Sequence, residues 1–276
     1  MHIAFIGAGK VCHALSFYFA KRHSVSGIYS RSPERAASLS KNLQTKAYAC
    51  PGEAIAEADL LFITTTDGEI EGVAKALAEA AGELSGKGFA HCSGSLSSRI
   101  LHPLRDKGAA IFSLHPAQSF SDPAKALEQL PKTCFTVEGG GDWLPLVKTL
   151  FTGYANPIVR IAPEDKIRYH AAMVMLSNYT VTLYGLSESL LKDLGMSRED
   201  AKRILLPLLE STLSNLGQKG FDALTGPIER GDKATIEQHL QELTKNPELL
   251  TLYRQLGAAT LTLLGEEKEA ELDVFR

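Results

Sequence analysis

The sequence has little cysteine, and what it has is scattered. Cys12, Cys50, Cys92 and Cys134 stand far apart in a chain of 276 residues, with no Cys-x-x-Cys pair. That spacing argues against a disulfide or zinc framework and suits a reducing compartment, so a cytoplasmic protein is expected. A basic excess is missing too: 29 Lys and Arg stand against 32 Asp and Glu, a net charge of −3. Nucleic acid and anionic membranes call for a basic patch or stripe, so neither is an expected partner. There is no HExxH and no Cys/His cluster, so no metal is expected. The longest uncharged stretch, residues 169–187, carries His170, Ser177, Asn178, Thr180 and Thr182. It is too polar for a lipid-facing helix and reads as a helix buried in protein. At the N-terminus the apolar run His2–Ile6 is too short for a signal peptide, and glycines follow at once.

What is present is an ordinary globular mix, 44% hydrophobic and 22% charged, which excludes a disordered or collagen-like chain. At roughly 150 residues per domain the length suggests about two domains. The first half alternates short apolar runs, His2–Ile6, Val25–Tyr29, Leu60–Thr64, Gly88–His91, Ala110–Leu114 and Thr133–Val137, with helical patterns. The helical patterns are Val11–Arg22, Pro33–Leu43, Glu69–Ala81 and Asp142–Phe151. Such alternation means βαβ units and a mostly parallel sheet. Pro157–Ile161 reads as a last strand or a linker. Beyond Pro163 the patterns are helical: 164–194, 198–217, 233–245 and 247–264. Ser197 and Asp200 resemble a capping box, and Pro207 should kink or break its helix. The expected fold is a Rossmann-type parallel-sheet α/β domain, residues 1–153, followed by an all-α domain, residues 154–276.

Gly7-Ala8-Gly9-Lys10-Val11-Cys12 follows the first strand and opens a helix. The first glycine allows a tight turn, and the second lets backbone approach a pyrophosphate resting on the helix N-terminus. Cys12 stands at the third small position. The alternative is a glycine-rich turn with no ligand. The second strand ends Tyr29-Ser30-Arg31-Ser32, without the acid that holds the NAD ribose. Arg31 can pair with a 2′-phosphate and stack on adenine, with Ser30 and Ser32 hydrogen-bonding it, so the expected cofactor is NADP. Thr65 and Thr66, after the run Leu60–Thr64, lie at the same sheet edge and are expected to line it. Asp67 is read as the N-cap of the next helix, without a chemical role.

With these residues in view, the chain resembles a two-domain family: a Rossmann-like NADP-binding domain followed by a helical domain of unknown function (number 2520). That family is similar in plan to pyrroline-5-carboxylate reductase and ketopantoate reductase. The carriers are residues 6–11, 29–32, His91-Cys92-Ser93-Gly94-Ser95 and His115-Pro116-Ala117-Gln118-Ser119-Phe120. In the second half they are Tyr169-His170, Ser177-Asn178-Tyr179 and residues 224–232, Leu-Thr-Gly-Pro-Ile-Glu-Arg-Gly-Asp. The resemblance covers essentially the whole chain and implies the fold, an NADP-like cofactor and a homodimer, but no substrate.

Four motifs can carry chemistry. Ser93 can donate to a nicotinamide carboxamide or a substrate oxygen, or it can simply close a turn with Gly94. Cys92 has no base assigned and is not read as a nucleophile. His115, with an ordinary pKa of about 6.5, is a candidate general acid, the alternative being a histidine bonded within its loop. Lys166, His170, Ser177 and Asn178 share an arc of one helix. The resemblance implies that polar residues on that helix hold substrate beneath the nicotinamide, and His170 and Asn178 match better than Lys166 matches a catalytic lysine. The alternative is buried groups bonded to backbone or a second subunit. Arg230, after the Thr225-Gly226-Pro227 turn, is the candidate anchor for a substrate carboxylate, and Asp232 should cap the following helix. The expected function is NADPH-dependent hydride transfer to a small C=O or C=N substrate bearing a carboxylate, by a homodimer formed through the helical domain. The alternative is a non-catalytic NADP(H)-binding sensor or regulator.

Overall fold

Apolar runs of four to seven residues, each closed by turn residues, form the strands of one sheet. In the computed structural model, which describes residues 1–140, 143–266 and 275, the chain alternates β1 (His2–Ile6), α1 (Lys10–Phe19), β2 (Ser24–Tyr29), α2 (Pro33–Leu43), β3 (Lys46–Ala47) and α3 (Pro51–Glu57). It continues with β4 (Leu60–Ile63), α4 (Asp67–Ala80), β5 (Gly88–His91), α5 (His102–Arg105), β6 (Ala110–Pro116) and α6 (Pro123–Gln129). Then come β7 (Phe135–Gly140), α7 (Trp143–Leu150) and β8 (Ile158–Arg160). Asp142, expected to open α7, lies outside the described residues. The rest is helical: α8 (Lys166–Asp193), α9 (Arg198–Lys219), α10 (Pro227–Arg230), α11 (Lys233–Glu242) and α12 (Pro247–Leu264).

The eight strands run in the order β3-β2-β1-β4-β5-β6-β7-β8. All neighbours are parallel except β6 and β7, which are antiparallel. Period-two alternation sends neighbouring side chains to opposite faces. Ile3 and Phe5 join Phe62 and Phe112 in one core layer, while Ala4 and Ile6 join Leu61, Ile63 and Phe89 in the other. Burying each large side chain contributes roughly 1.5–3 kcal/mol, so the sheet is held from both sides. The order reverses at β1 and β4, and ligands of open α/β sheets bind beyond the carboxyl ends of strands at such a switch point.

The chain divides into two compact units, Met1–Thr182 and Leu183–Arg276. β8, which follows residue 153, completes the sheet of the first unit, which also contains the first half of α8. In the second unit Ile236, Leu240, Leu261 and Phe275 form a small core. Gly257 is needed there, because a Cβ would meet the Phe275 ring at 2.4 Å.

Two local expectations are corrected. Thr66, not Asp67, holds the N-cap position of α4, since the Glu69 N–H donates to the Thr66 carbonyl at 2.9 Å. Pro207 does not break its helix: α9 runs through it, and the residue is exposed, so water can solvate the carbonyl it leaves unpaired. The stretch 169–187 is largely exposed in a single chain, with Met175 at 65% and Val181 at 71%. The large side chains exposed there are apolar, so the burial expected of this helix is not supplied within the single chain. Ser197 caps α9 as its spacing suggests, accepting the Asp200 N–H at 3.2 Å.

Candidate active site

The glycine turn is built by close contact. Gly7 sits at φ +105°, and a Cβ there would lie 3.0 Å from the Thr64 carbonyl carbon and the Thr65 nitrogen. Only glycine combines that backbone with that approach. Its N–H donates to the Tyr29 carbonyl at 2.7 Å, and the Thr64 hydroxyl donates to the Gly7 carbonyl at 2.9 Å. Gly9 is the N-cap of α1 with no side chain capping it, so the first N–H groups of that helix remain available to an anion. Ala8 and Val11 pack on the core beneath the turn, and the Lys10 ammonium donates to the Ser121 carbonyl at 2.7 Å. Cys12 is fully buried, which pushes its thiol far up and fits a packing role. The Thr65 hydroxyl is buried beside this turn with no partner among the described residues. Thr66 is exposed.

At the end of β2, Arg31 is exposed and pairs with Glu69 at 2.8 Å. An exposed pair of this kind is worth little, at most about 1 kcal/mol, and yields readily to a phosphate. The Ser32 N–H donates to the Ser30 hydroxyl at 3.2 Å, and the Ser32 hydroxyl is bonded to Glu34 at 3.0 Å.

The second part lies beyond β5 and β6, against α8. A cavity of about 270 Å³ is lined by His115, Gln118, Ser119, His170, Val174 and Asn178, among others. The structure thus brings together His115, His170 and Asn178, expected from two separate motifs. Gly94 closes one wall: a Cβ on it would lie 2.7 Å from His170 Cδ2 and 2.9 Å from His115 Nε2. His115 Nδ1 is hydrogen-bonded to the Tyr169 hydroxyl at 2.8 Å. Burial first, then the Lys166 ammonium and His170, push His115 down to about 4, against a smaller opposing pull from Asp67. His91, wholly enclosed, is also pushed down to about 4, by burial and then Lys166. Both imidazoles are therefore held toward the neutral form, below the ordinary value of about 6.5 from which the general-acid expectation for His115 started.

Ser93 is 7% exposed and its hydroxyl is engaged. It donates to Asp67 at 2.7 Å and accepts the N–H groups of Ser95 and Leu96 at 3.2 and 3.1 Å. Asp67 also accepts the Ser95 hydroxyl at 3.1 Å. Cys92 is pushed up to about 12 by burial, so it holds no thiolate at neutral pH. Arg230 belongs to the second unit, exposed at the end of α10, which Gly231 closes in the left-handed conformation. Asp232 caps α11, accepting the N–H and hydroxyl of Thr235 at 3.1 and 2.7 Å.

Sequence reasoning gave Tyr169 no role, read Asp67 only as a helix cap and ranked Lys166 below His170 and Asn178, though Tyr169 stands beside His170 in a motif it singled out. The Lys166 ammonium is enclosed, donating to the Ser93 carbonyl at 2.7 Å and the Ser113 hydroxyl at 2.9 Å. Nothing in its sequence context marks it as buried.

Residues 1–116 match the Rossmann-like domain, and residues 133–260 match a domain of unknown function, number 2520. No curated protein matches the chain. Among solved structures, a Thermotoga maritima protein is 29% identical, with a TM-score of 0.74 over 94% of this chain and 96% of its own. A reductive aminase from Aspergillus terreus, in complex with NADPH and ethyl-5-oxohexanoate, is 17% identical, with a TM-score of 0.70 over 100% and 99%. A 1-pyrroline-5-carboxylate reductase from Streptococcus pyogenes is 16% identical, with a TM-score of 0.65 over 94% and 98%. The last two likenesses establish the fold.

Proposed function

For a chain that joins a Rossmann-like domain to the domain of unknown function 2520, we propose NADPH-dependent reduction of a small C=O or C=N substrate. The observation that carries this is one unit holding both a pyrophosphate turn at the sheet's switch point and a polar cavity beyond β5 and β6. Residues present fit the cofactor. The turn at Gly7 has no room for a Cβ, α1 begins uncapped, and the buried Thr65 hydroxyl awaits a partner. Gly7 to Val11, with Thr65 and Thr66, would hold the pyrophosphate side, while Ser30, Arg31 and Ser32 would hold the 2′-phosphate. The bound nicotinamide supplies the hydride.

This chain's own residues hold and polarise the acceptor. In the tautomer in which the Tyr169 hydroxyl donates to His115 Nδ1, the imidazole proton sits on Nε2, the nitrogen beside Gly94. A neutral imidazole N–H can polarise a carbonyl oxygen or imine nitrogen, and the proton that completes the reduction would then come from solvent water. His170 and Asn178 orient the acceptor from α8, and Met173, Val174 and Leu176 exclude water from one side. Ser93 braces the turn that carries Gly94. Arg230 is our candidate for a substrate carboxylate.

The homodimer is also our proposal. It is supported by exposed apolar side chains along α8 and α9, including Met175, Leu176, Val181 and Leu208. Cytoplasmic placement is supported by four free cysteines. Among the described residues, no helix is long and apolar enough to cross a membrane.

The test is NADPH oxidation against a panel of ketones and cyclic imines, with and without carboxylates. His115→Ala should lower turnover at least about tenfold with NADPH affinity intact. Tight NADPH binding with no turnover of any panel member would leave the sensor reading in its place. Arg230→Ala should raise KM for the acids alone, and light scattering should report a dimer mass.

A further inference from the structure

Lys166 stands where a lysine is costly. It is 1% exposed, although long charged side chains almost always reach water. It opens α8, whose positive dipole end opposes a cation. Its two hydrogen-bond acceptors are neutral oxygens, the Ser93 carbonyl and the Ser113 hydroxyl. Glu138 and Asp67 attract it, but each carboxylate is already engaged by serines: Glu138 by the N–H and hydroxyl of Ser98, Asp67 by Ser93 and Ser95. An enclosed ammonium without a dedicated ion pair is not a stability device.

Its partners show what it does. Ser113 lies on β6, in register with His91 at the end of β5. Ser93 follows β5 and immediately precedes Gly94, the residue packed against both His115 and His170. Lys166 itself stands one helical turn before His170. We propose that Lys166 is the positioning residue of this cavity: its ammonium clamps the Ser93–Gly94 turn to β6 and α8, and so sets where His115 and His170 face the bound acceptor. It does not line the cavity and donates no proton to the substrate. This rests on the reading of the cavity as a reductase's substrate site.

The clamp leaves an electrostatic signature. The groups facing His115 are Lys166, Tyr169 and His170 from α8, His91 from β5 and Asp67 from α4. Lys166 is the one lysine or arginine among them, and after burial it is the next cause that keeps His115 unprotonated. The test is an NMR titration of the imidazole C–H signals, which needs no substrate. In the native protein His115 should titrate at about 4. In Lys166→Met, with the fold checked by circular dichroism, its midpoint should rise by about one pH unit, tenfold in proton affinity. Lys166→Arg, which keeps the charge, should titrate as the native protein does. Turnover of Lys166→Met should fall at least about tenfold, with NADPH affinity within about twofold. An unmoved His115 midpoint in folded Lys166→Met, or equal midpoints in the Met and Arg variants, overturns the proposal. Should Lys166→Met not fold, Ser113→Ala removes one clamp contact with the charge in place. It should lower turnover several-fold with the His115 titration unchanged, and native turnover in that variant would overturn the clamp. Absence of turnover in the native protein would instead sink the reductase reading.

Discussion

Gly94→Ala tests the candidate site at its tightest point. A Cβ there would stand 2.7 Å from His170 Cδ2, 2.9 Å from His115 Nε2 and 3.2 Å from His115 Cδ2. Carbon atoms rest at about 3.5–4.0 Å, so the His170 ring must retreat by about 1 Å. His115 is the less free of the two, because Tyr169 holds its far nitrogen at 2.8 Å. Overpacking usually costs about 1–3 kcal/mol, and the lower end applies here because the clash falls on ring edges that can swing. Stability should therefore change little, while a displacement of that size at a reacting geometry costs about a hundredfold in rate. The assay is turnover on whichever panel substrate the native enzyme reduces, beside a fluorescence titration of NADPH and a thermal melt. Turnover within twofold of native, in a folded variant that binds NADPH normally, would refute the assignment of His115 and His170 to the reacting centre.

Further predictions concern cofactor choice and acid stability. Arg31→Ala should erase a preference for NADPH over NADH, since the exposed guanidinium, paired with Glu69, is the expected 2′-phosphate partner; equal affinities in the native protein would remove that assignment. His91 and His115 bind protons near 6.5 when unfolded and near 4 when folded. The stability conferred by keeping them neutral is whole above pH 6.5 and is lost as pH falls from 6.5 toward 4. The urea midpoint should drop across that window, and a flat midpoint there would contradict the burial of the two imidazoles.

Much of the fold was legible in the chain because its signals are local. Runs such as Leu60–Ile63 between turn residues, and Pro33 or Pro247 at helix starts, declare themselves within a few residues. The two-residue strand β3, the short helix α6 and the antiparallel turn of β7 against β6 escaped notice. Their stability comes from neighbours in the sheet and not from their own pattern. What lies against α8 is not legible for a related reason: apolar composition says that a surface can be covered, not what covers it.

For the site, the division is similar. The sequence by itself determined the glycine turn, the missing acid after β2 and the polar residues spaced along α8, because each depends on residue type and short spacing. Only the tertiary structure decided that His115, His170 and Asn178 share one cavity with Gly94 packed against its two histidines, that Ser93 spends its hydroxyl on Asp67, and that Lys166 is enclosed. A hydrogen bond between residues 73 apart, such as Lys166 to Ser93, leaves no trace in local pattern. A pKa likewise depends on burial and on charges brought in from other elements. Both properties belong to the packed chain, where distant segments exclude water from one another and fix the dielectric and the partners of each charge.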